Sequence, residues 1–240
     1  ALESAFISGI QSSKQFSTEV ALIQTISQKA GMSTAEWSEG VRKLSNSFGI
    51  SQLDAARAAY EAISNQVTSG RETFDYMAEA AIFARVTGSS LTDSVNLNSA
   101  AIRNFGLATN DARRINEIFF KTIELGRVKA SDLSDTFGRV GSIAAEAGVK
   151  LEEVGAALAT ITVKGVKPND AMTLMSNLLL KLIRPTEEMQ RLFKEWGVAS
   201  GTAAIQTFGF SGVLQKLDAE AQKGTNRMGE LINQIRAMRG

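Results

Sequence analysis

Gly49-Ile50-Ser51-Gln52-Leu53-Asp54-Ala55 recurs as Gly106-Leu107-Ala108-Thr109-Asn110-Asp111-Ala112, and again as Gly165-Val166-Lys167-Pro168-Asn169-Asp170-Ala171. The spacings are 57 and 59 residues. Each copy is a glycine, an aliphatic residue, three loop or cap residues, then Asp-Ala. A second signature keeps nearly the same period: Ala30-Gly31-Met32-Ser33, Thr87-Gly88-Ser89-Ser90 and Ala147-Gly148-Val149-Lys150, at spacings of 57 and 60 residues. Each of these leads into an acidic first turn, carrying Glu36, Asp93, or Glu152 with Glu153. Two signatures that drift together define an internal helical repeat.

The chemistry of each signature is that of a helix end followed by a helix start. Glycine after a periodic run suits a left-handed terminating residue, and the aliphatic side chain after it can pack back on the last turn. Ser33 with Glu36 has the spacing of a capping box, and Ser90 with Asp93 is a shorter version of it. Pro168 falls at the first helical position, where its missing N–H costs nothing.

The helix after each Asp-Ala keeps an apolar stripe. Ala58, Ile115 and Leu174 occupy one matched position, Ala62, Phe119 and Leu178 the next, and Ile63, Phe120 and Leu179 the one after. Offsets of four and five are read as one helix face. The side chains grow from Ala-rich in the first copy to Leu-rich in the third, so the first permits closer helix approach.

These patterns predict an all-α chain of about a dozen short amphipathic helices in three degenerate repeats, with no sheet. The expected spans are 3–14, 17–30, 34–48, 52–68, 71–87, 91–105, 109–125, 130–147, 151–164, 168–183, 185–196, 211–222 and 225–238. The glycine-rich stretch 197–212 reads as a loop. The expected organisation is N-terminal helices at 1–30, repeats at 31–87, 88–147 and 148–197, and a loop with C-terminal helices at 198–240.

Composition narrows function by exclusion. The 240 residues carry 26 Lys and Arg against 25 Asp and Glu, a net charge of +1. That balance supplies no bulk attraction to nucleic acid or to an anionic membrane. Cysteine and histidine are both absent. Disulfides, thiolates, the commonest general base and the commonest metal ligand go with them. The most apolar run, Leu178 to Ile183, is interrupted by Lys181 and falls far short of a membrane span of about 20 residues. The chain opens on Ala1 with no signal-peptide pattern, consistent with a piece of something longer.

The remaining chemical candidates read as ordinary helix features. Ser12 and Ser13 beside Lys14 look like surface residues of a helix. The carboxylate pairs Glu152-Glu153 and Glu187-Glu188 sit at helix starts, where acids favour the dipole. Gly138-Arg139-Val140-Gly141 lacks the Lys-Ser/Thr of a phosphate loop and follows no strand. Arg113-Arg114 lies among Asp111, Glu117 and Glu124, a solvated ion-paired face, and Lys223, Arg227, Arg236 and Arg239 make a mildly basic C-terminal helix. Trp37 and Trp196 read as core or subunit-contact anchors. No catalytic, cofactor-binding or metal-binding residue is expected.

The stretch from about Thr25 to Val198 resembles the tape-measure family of siphophage and myophage tails. Gly148-Val149-Lys150-Leu151-Glu152-Glu153-Val154-Gly155-Ala156-Ala157-Leu158 is similar to that family's small-residue turn, acidic helix start and Ala-rich helix. Gly165 to Ala171 leads into a leucine helix, then Arg184-Pro185-Thr186-Glu187-Glu188, then a helix end from Leu192 to Gly197, a succession typical of the family. Met228 to Gly240 looks like the start of its next helix. The resemblance covers about three quarters of the chain and implies a structural component of the virion tail, made in the host cytoplasm. Implied roles are tail assembly, tail-length determination and genome ejection. Implied partners are further copies of itself, the tail tube, the tip or baseplate and an assembly chaperone, with no small-molecule substrate, cofactor or specific nucleic acid. Membrane contact during ejection finds no support in this segment. Two other readings fit the residues: a helical-repeat adaptor that holds a partner protein in a groove, and a membrane-active protein that stores amphipathic helices.

Overall fold

The computed structural model describes residues 2–28 and 31–222, without the side chains of 2–9 and 221. Among these residues there are eleven α-helices and no strand. In chain order they are α1 (Leu2–Ile26), α2 (Thr34–Phe48), α3 (Gln52–Ser64), α4 (Glu72–Thr87), α5 (Leu91–Phe105), α6 (Ala112–Leu125), α7 (Ala130–Ala147), α8 (Leu151–Val163), α9 (Pro168–Ile183), α10 (Glu187–Glu195) and α11 (Gly201–Gln222). A 3-10 turn at Thr109–Asp111 leads into α6. The all-α expectation therefore holds. The expected helix 225–238 and Ala30 lie outside the described residues.

Both recurring signatures are helix punctuation. Gly31, Gly49, Gly88, Gly106, Gly148 and Gly165 all have positive φ, between 63° and 98°. After four of them the next N–H reaches back over the turn: Ile50 to Ser45 O, Ser89 to Ala84 O, Leu107 to Ile102 O and Val149 to Ala144 O, at 2.9–3.2 Å. A side chain other than glycine is strained in this conformation, and these bonds satisfy carbonyls that a helix end leaves open.

The acid that follows each glycine occupies the third helical position. Ser33 N–H donates to Glu36 Oε2 at 2.9 Å. Ala108 N–H donates to Asp111 Oδ2 at 2.8 Å, and Lys150 N–H to Glu153 Oε2 at 3.1 Å. At α3 the roles are shared, with Asp54 N–H donating to Ser51 Oγ at 3.0 Å. The alanine after each Asp is the first buried position of its helix: Ala55, Ala112 and Ala171 are all at most 2% exposed. Asp-Ala thus recurs because one residue caps and the next packs.

Three expectations need correction. The spans 3–14 and 17–30 form one helix, α1. Gln15 and Phe16 continue the helix, and the Ser17 and Thr18 hydroxyls donate back to Ser13 O and Lys14 O within it, each at 3.0 Å. Phe16, Val20 and Ile23 give this half a buried face at helical spacing. The stretch 197–212 is not a loop, since α11 begins at Gly201. Ser200 Oγ caps it by accepting Ala203 N–H at 3.0 Å. Gly201 is there for close approach, because a Cβ would stand 2.2 Å from Leu182 O. Phe120 is not on the buried stripe and is 37% exposed. Its offset of five from Ile115 turns it about 140° away; Ile63 and Leu179 are buried at the same offset because α3 and α9 each pack against three helices.

The chain divides into two compact units, one of Ala1–Arg103 with Leu107–Asn116 and one of Asn104–Gly106 with Glu117–Gly240. In the first, α3 packs on α1, α2 and α4. Its core is alanine-rich, with Ala55, Ala56, Ala58, Ala59 and Ala62 of α3 fully buried. In the second, α9 packs against α7, α8 and α11. There Phe137, Leu158, Met175, Leu178 and Leu179 are buried, and the Phe119 ring meets Phe137 edge-on at 4.9 Å.

Candidate contact surfaces

The carboxylate pairs do what helix starts require, and one does more. Glu187 pairs loosely with Arg191 at 3.9 Å, beside the Thr186 cap of α10. Glu153 uses both of its oxygens on backbone. Oε2 accepts Lys150 N–H, while Oε1 accepts Phe210 N–H of α11 at 2.7 Å. Sequence reasoning found the first role and missed the second, which joins residues 57 apart. Gly138 and Gly141 lie within α7, where Asn104 Nδ2 donates to Gly138 O at 3.0 Å. Gly141 is a packing position: a Cβ there would approach Asn104 Nδ2 at 2.9 Å.

Ser12, Ser13 and Lys14 are exposed on α1, and Arg113 and Arg114 are exposed on α6. Lys223, Arg227, Arg236 and Arg239 lie outside the described residues. Trp37 is a core anchor, fully buried, with the Phe74 ring 5.4 Å away. Trp196 ends α10, half-buried between Phe193 and Phe208. Among the described residues no group of three or more acidic side chains is placed to hold a metal ion. No described helix is long and apolar enough to cross a membrane.

The first unit holds a buried polar seam that the sequence reading did not anticipate. Asn98 Nδ2 donates to Ser94 O at 2.9 Å and to Asn116 Oδ1 at 2.7 Å, and Asn116 Nδ2 donates to Glu79 O at 2.9 Å. Tyr76 Oη donates to Val95 O at 2.8 Å, with Ser99 Oγ 2.9 Å away. Burial pushes the Tyr76 hydroxyl well above its usual range, so it stays a neutral donor; the Ser99 hydrogen bond works the other way and is the smaller influence. The available signal was Ser94, Asn98 and Ser99 at helical spacing on α5, which passes for a solvated face in sequence.

Concave surfaces stand open in each unit among the described residues. In the first unit a groove of about 490 Å³ runs between α2 and α4, floored by Leu44, Phe48 and Phe74. Gly40 admits the tip of the Phe74 ring, since a Cβ there would stand 2.1 Å from Phe74 Cζ. Its rim is neutralised internally by Arg71 with Glu36 at 2.6 Å and Lys43 with Glu39 at 2.8 Å. In the second unit a slot of about 330 Å³ separates α8 from the far half of α11, lined by Ala156, Ala157, Ile161, Phe210 and Leu214.

Grooves, close-packed alanine faces and cap-bound acids make this an all-helical protein whose visible equipment is contact surface. A sequence profile for the phage-related minor tail protein family matches residues 38–235. The chain belongs to that family. A tape measure protein of Pneumococcus phage Dp-1 is 25% identical over 193 residues, 79% of this chain and 16% of that protein. The chain thus spans about a sixth of the relative's length.

Proposed function

We propose that this chain is a folded segment of a tape measure protein, acting by packing and self-association with no bond chemistry of its own. The observation that carries this reading is the tape-measure relative matched over most of the chain, on a fold in which Glu36, Asp111 and Glu153 serve as helix caps. Its partners are other tail components: the tube, the tip or baseplate, and an assembly chaperone that receives it in the host cytoplasm. Through the protein it belongs to, it contributes to tail assembly, length determination and genome ejection. Residues 31–87, 88–147 and 148–197 are three degenerate copies of one helical unit, a reading supported by their shared left-handed caps.

The length ruler lies outside this segment. A continuous helix of 240 residues would reach on the order of 360 Å, but here no described helix exceeds 25 residues, left-handed glycines end α2, α4 and α7, and the helices pack within compact units. In-frame deletion of residues 31–87 from the phage gene, with tail length measured by electron microscopy, tests this. Tails that assemble are expected to keep their length. A shortening of roughly 85 Å, the length of that segment as a continuous helix, overturns the proposal.

A further inference from the structure

We propose that the far half of α11, from Phe210 to Gln222, is a detachable strap, hinged at Gly209 and latched by Glu153. At Gly209 the helix breaks, with φ 69° and ψ 164°. That backbone region is open essentially to glycine alone. In an uninterrupted helix, Phe210 N–H would donate to the carbonyl four residues back, that of Gln206. Here it donates to Glu153 Oε1 at 2.7 Å instead. The carboxylate replaces the helix's own acceptor. Its other oxygen is anchored by Lys150 N–H at the start of α8, so one side chain starts both helical segments.

The break also resolves a conflict of faces. Before it, Ala204 and Ile205 are buried; after it, Phe210, Val213 and Leu217 are. In a straight helix the step from Ile205 to Phe210 turns the apolar face about 140°. Straightening would force one half to give up its burial, so the released strap is expected to swing away as a unit.

Phe210, Val213 and Leu217 seat the strap, but its packing against α8 is incomplete. The 330 Å³ slot lies between it and the small side chains Ala156 and Ala157 of α8. Protein interiors normally fill such space, and elements with few packed neighbours open first. A second tie is electrostatic: Lys216 Nζ lies 4.3 Å from the Phe208 ring centre across the hinge and 5.4 Å from that of Trp196. Opening would turn the slot into an apolar trough along α8 while leaving the contact of α7 with α9 in place.

Hydrogen exchange by mass spectrometry on the 240-residue chain tests this. Glu153→Ala should speed exchange in residues 210–222 about tenfold or more, while 168–183 stay within about twofold of the parent. Glu153→Gln, which keeps the volume and one acceptor oxygen, should give a smaller acceleration in the same residues. Asp132→Ala removes an equivalent cap at α7, where Lys129 N–H donates to Asp132 Oδ2 at 3.0 Å, and should leave 210–222 unchanged. Unaltered exchange in Glu153→Ala overturns the proposal. So does equal acceleration across 168–183, or the same acceleration of 210–222 in Asp132→Ala.

Discussion

Helices α3 and α9 follow copies of the same seven-residue signature and fill their cores in opposite ways. Both begin with a cap, an acid at the third position and a buried alanine at the fourth. From there α3 buries Ala56, Ala58, Ala59 and Ala62, whereas α9 buries Met172, Met175, Leu178, Leu179 and Leu182. Alanine removes little apolar area from water, while a buried leucine contributes roughly 1.5–3 kcal/mol. The difference shows that punctuation and packing vary independently here. Punctuation decides where helices start and stop, and side-chain volume decides how closely neighbours approach and how much stability results.

The largest expected effect comes from exchanging the two solutions at matched positions. Leu178 and Ala62 are both fully buried. Leu178→Ala should cost about 2–5 kcal/mol by leaving a cavity in the second unit. Ala62→Leu should cost about 1–3 kcal/mol by overpacking the first, although it adds apolar volume. Chemical denaturation followed by circular dichroism, with exchange peptides to assign each unit, measures both. A stabilising Ala62→Leu would break the comparison, since it would mean α3 has room to spare.

That contrast was legible before any coordinates, because side-chain size at matched positions is a property of the sequence. The caps were legible for the same reason: Gly49, Ser33 and Glu36 act through neighbours within a turn. What stayed hidden depends on distant residues. Ser94, Asn98 and Ser99 look like a wet face until α4 and the start of α6 close over them. Glu153 looks like a cap until Phe210 arrives from 57 residues later. Gly201 looks like a helix breaker until Leu182 O is seen against it. Phe120 was misplaced because an offset of five stays buried only where neighbours flank a helix on more than one side, as they do around Ile63 and Leu179.

The polar seam gives the next test. If the alanine-rich unit compensates for its small apolar volume with hydrogen-bonded register, breaking the seam should register there and nowhere else. Asn98→Ala leaves Asn116 Oδ1 without its donor in a buried setting. The expected cost is about 1–3 kcal/mol, read from the denaturation midpoint. Asn98 already carries one cost, because its Oδ1 has no partner. Asn98→Leu sharpens the test further. A loss larger than that of Asn98→Ala would show the site is tight as well as polar. A gain would show that the seam serves register at the expense of stability.

The smallest effect concerns the caps, the device both units share. Glu36 accepts Ser33 N–H at 2.9 Å and the Ser33 hydroxyl at 3.0 Å, and faces Arg71 at 2.6 Å. The Ser33 backbone bond is the main reason its carboxyl is held below the ordinary value of 4.5. A carboxyl depressed on folding binds fewer protons in the native chain than in the unfolded one, so its contribution rises with pH. That contribution is complete above 4.5 and is lost as pH falls through the folded value. Parent and Glu36→Gln should therefore differ most near neutrality and converge under acid, when denaturation midpoints are compared across a pH series. Other carboxylates cancel in that difference. The effect is small because the group faces solvent, and added salt should shrink the Arg71 part while sparing the Ser33 part. A gap that widens towards acid would mean that the Glu36 charge opposes folding, and that α2 is held by Trp37 and its core neighbours without help from its cap.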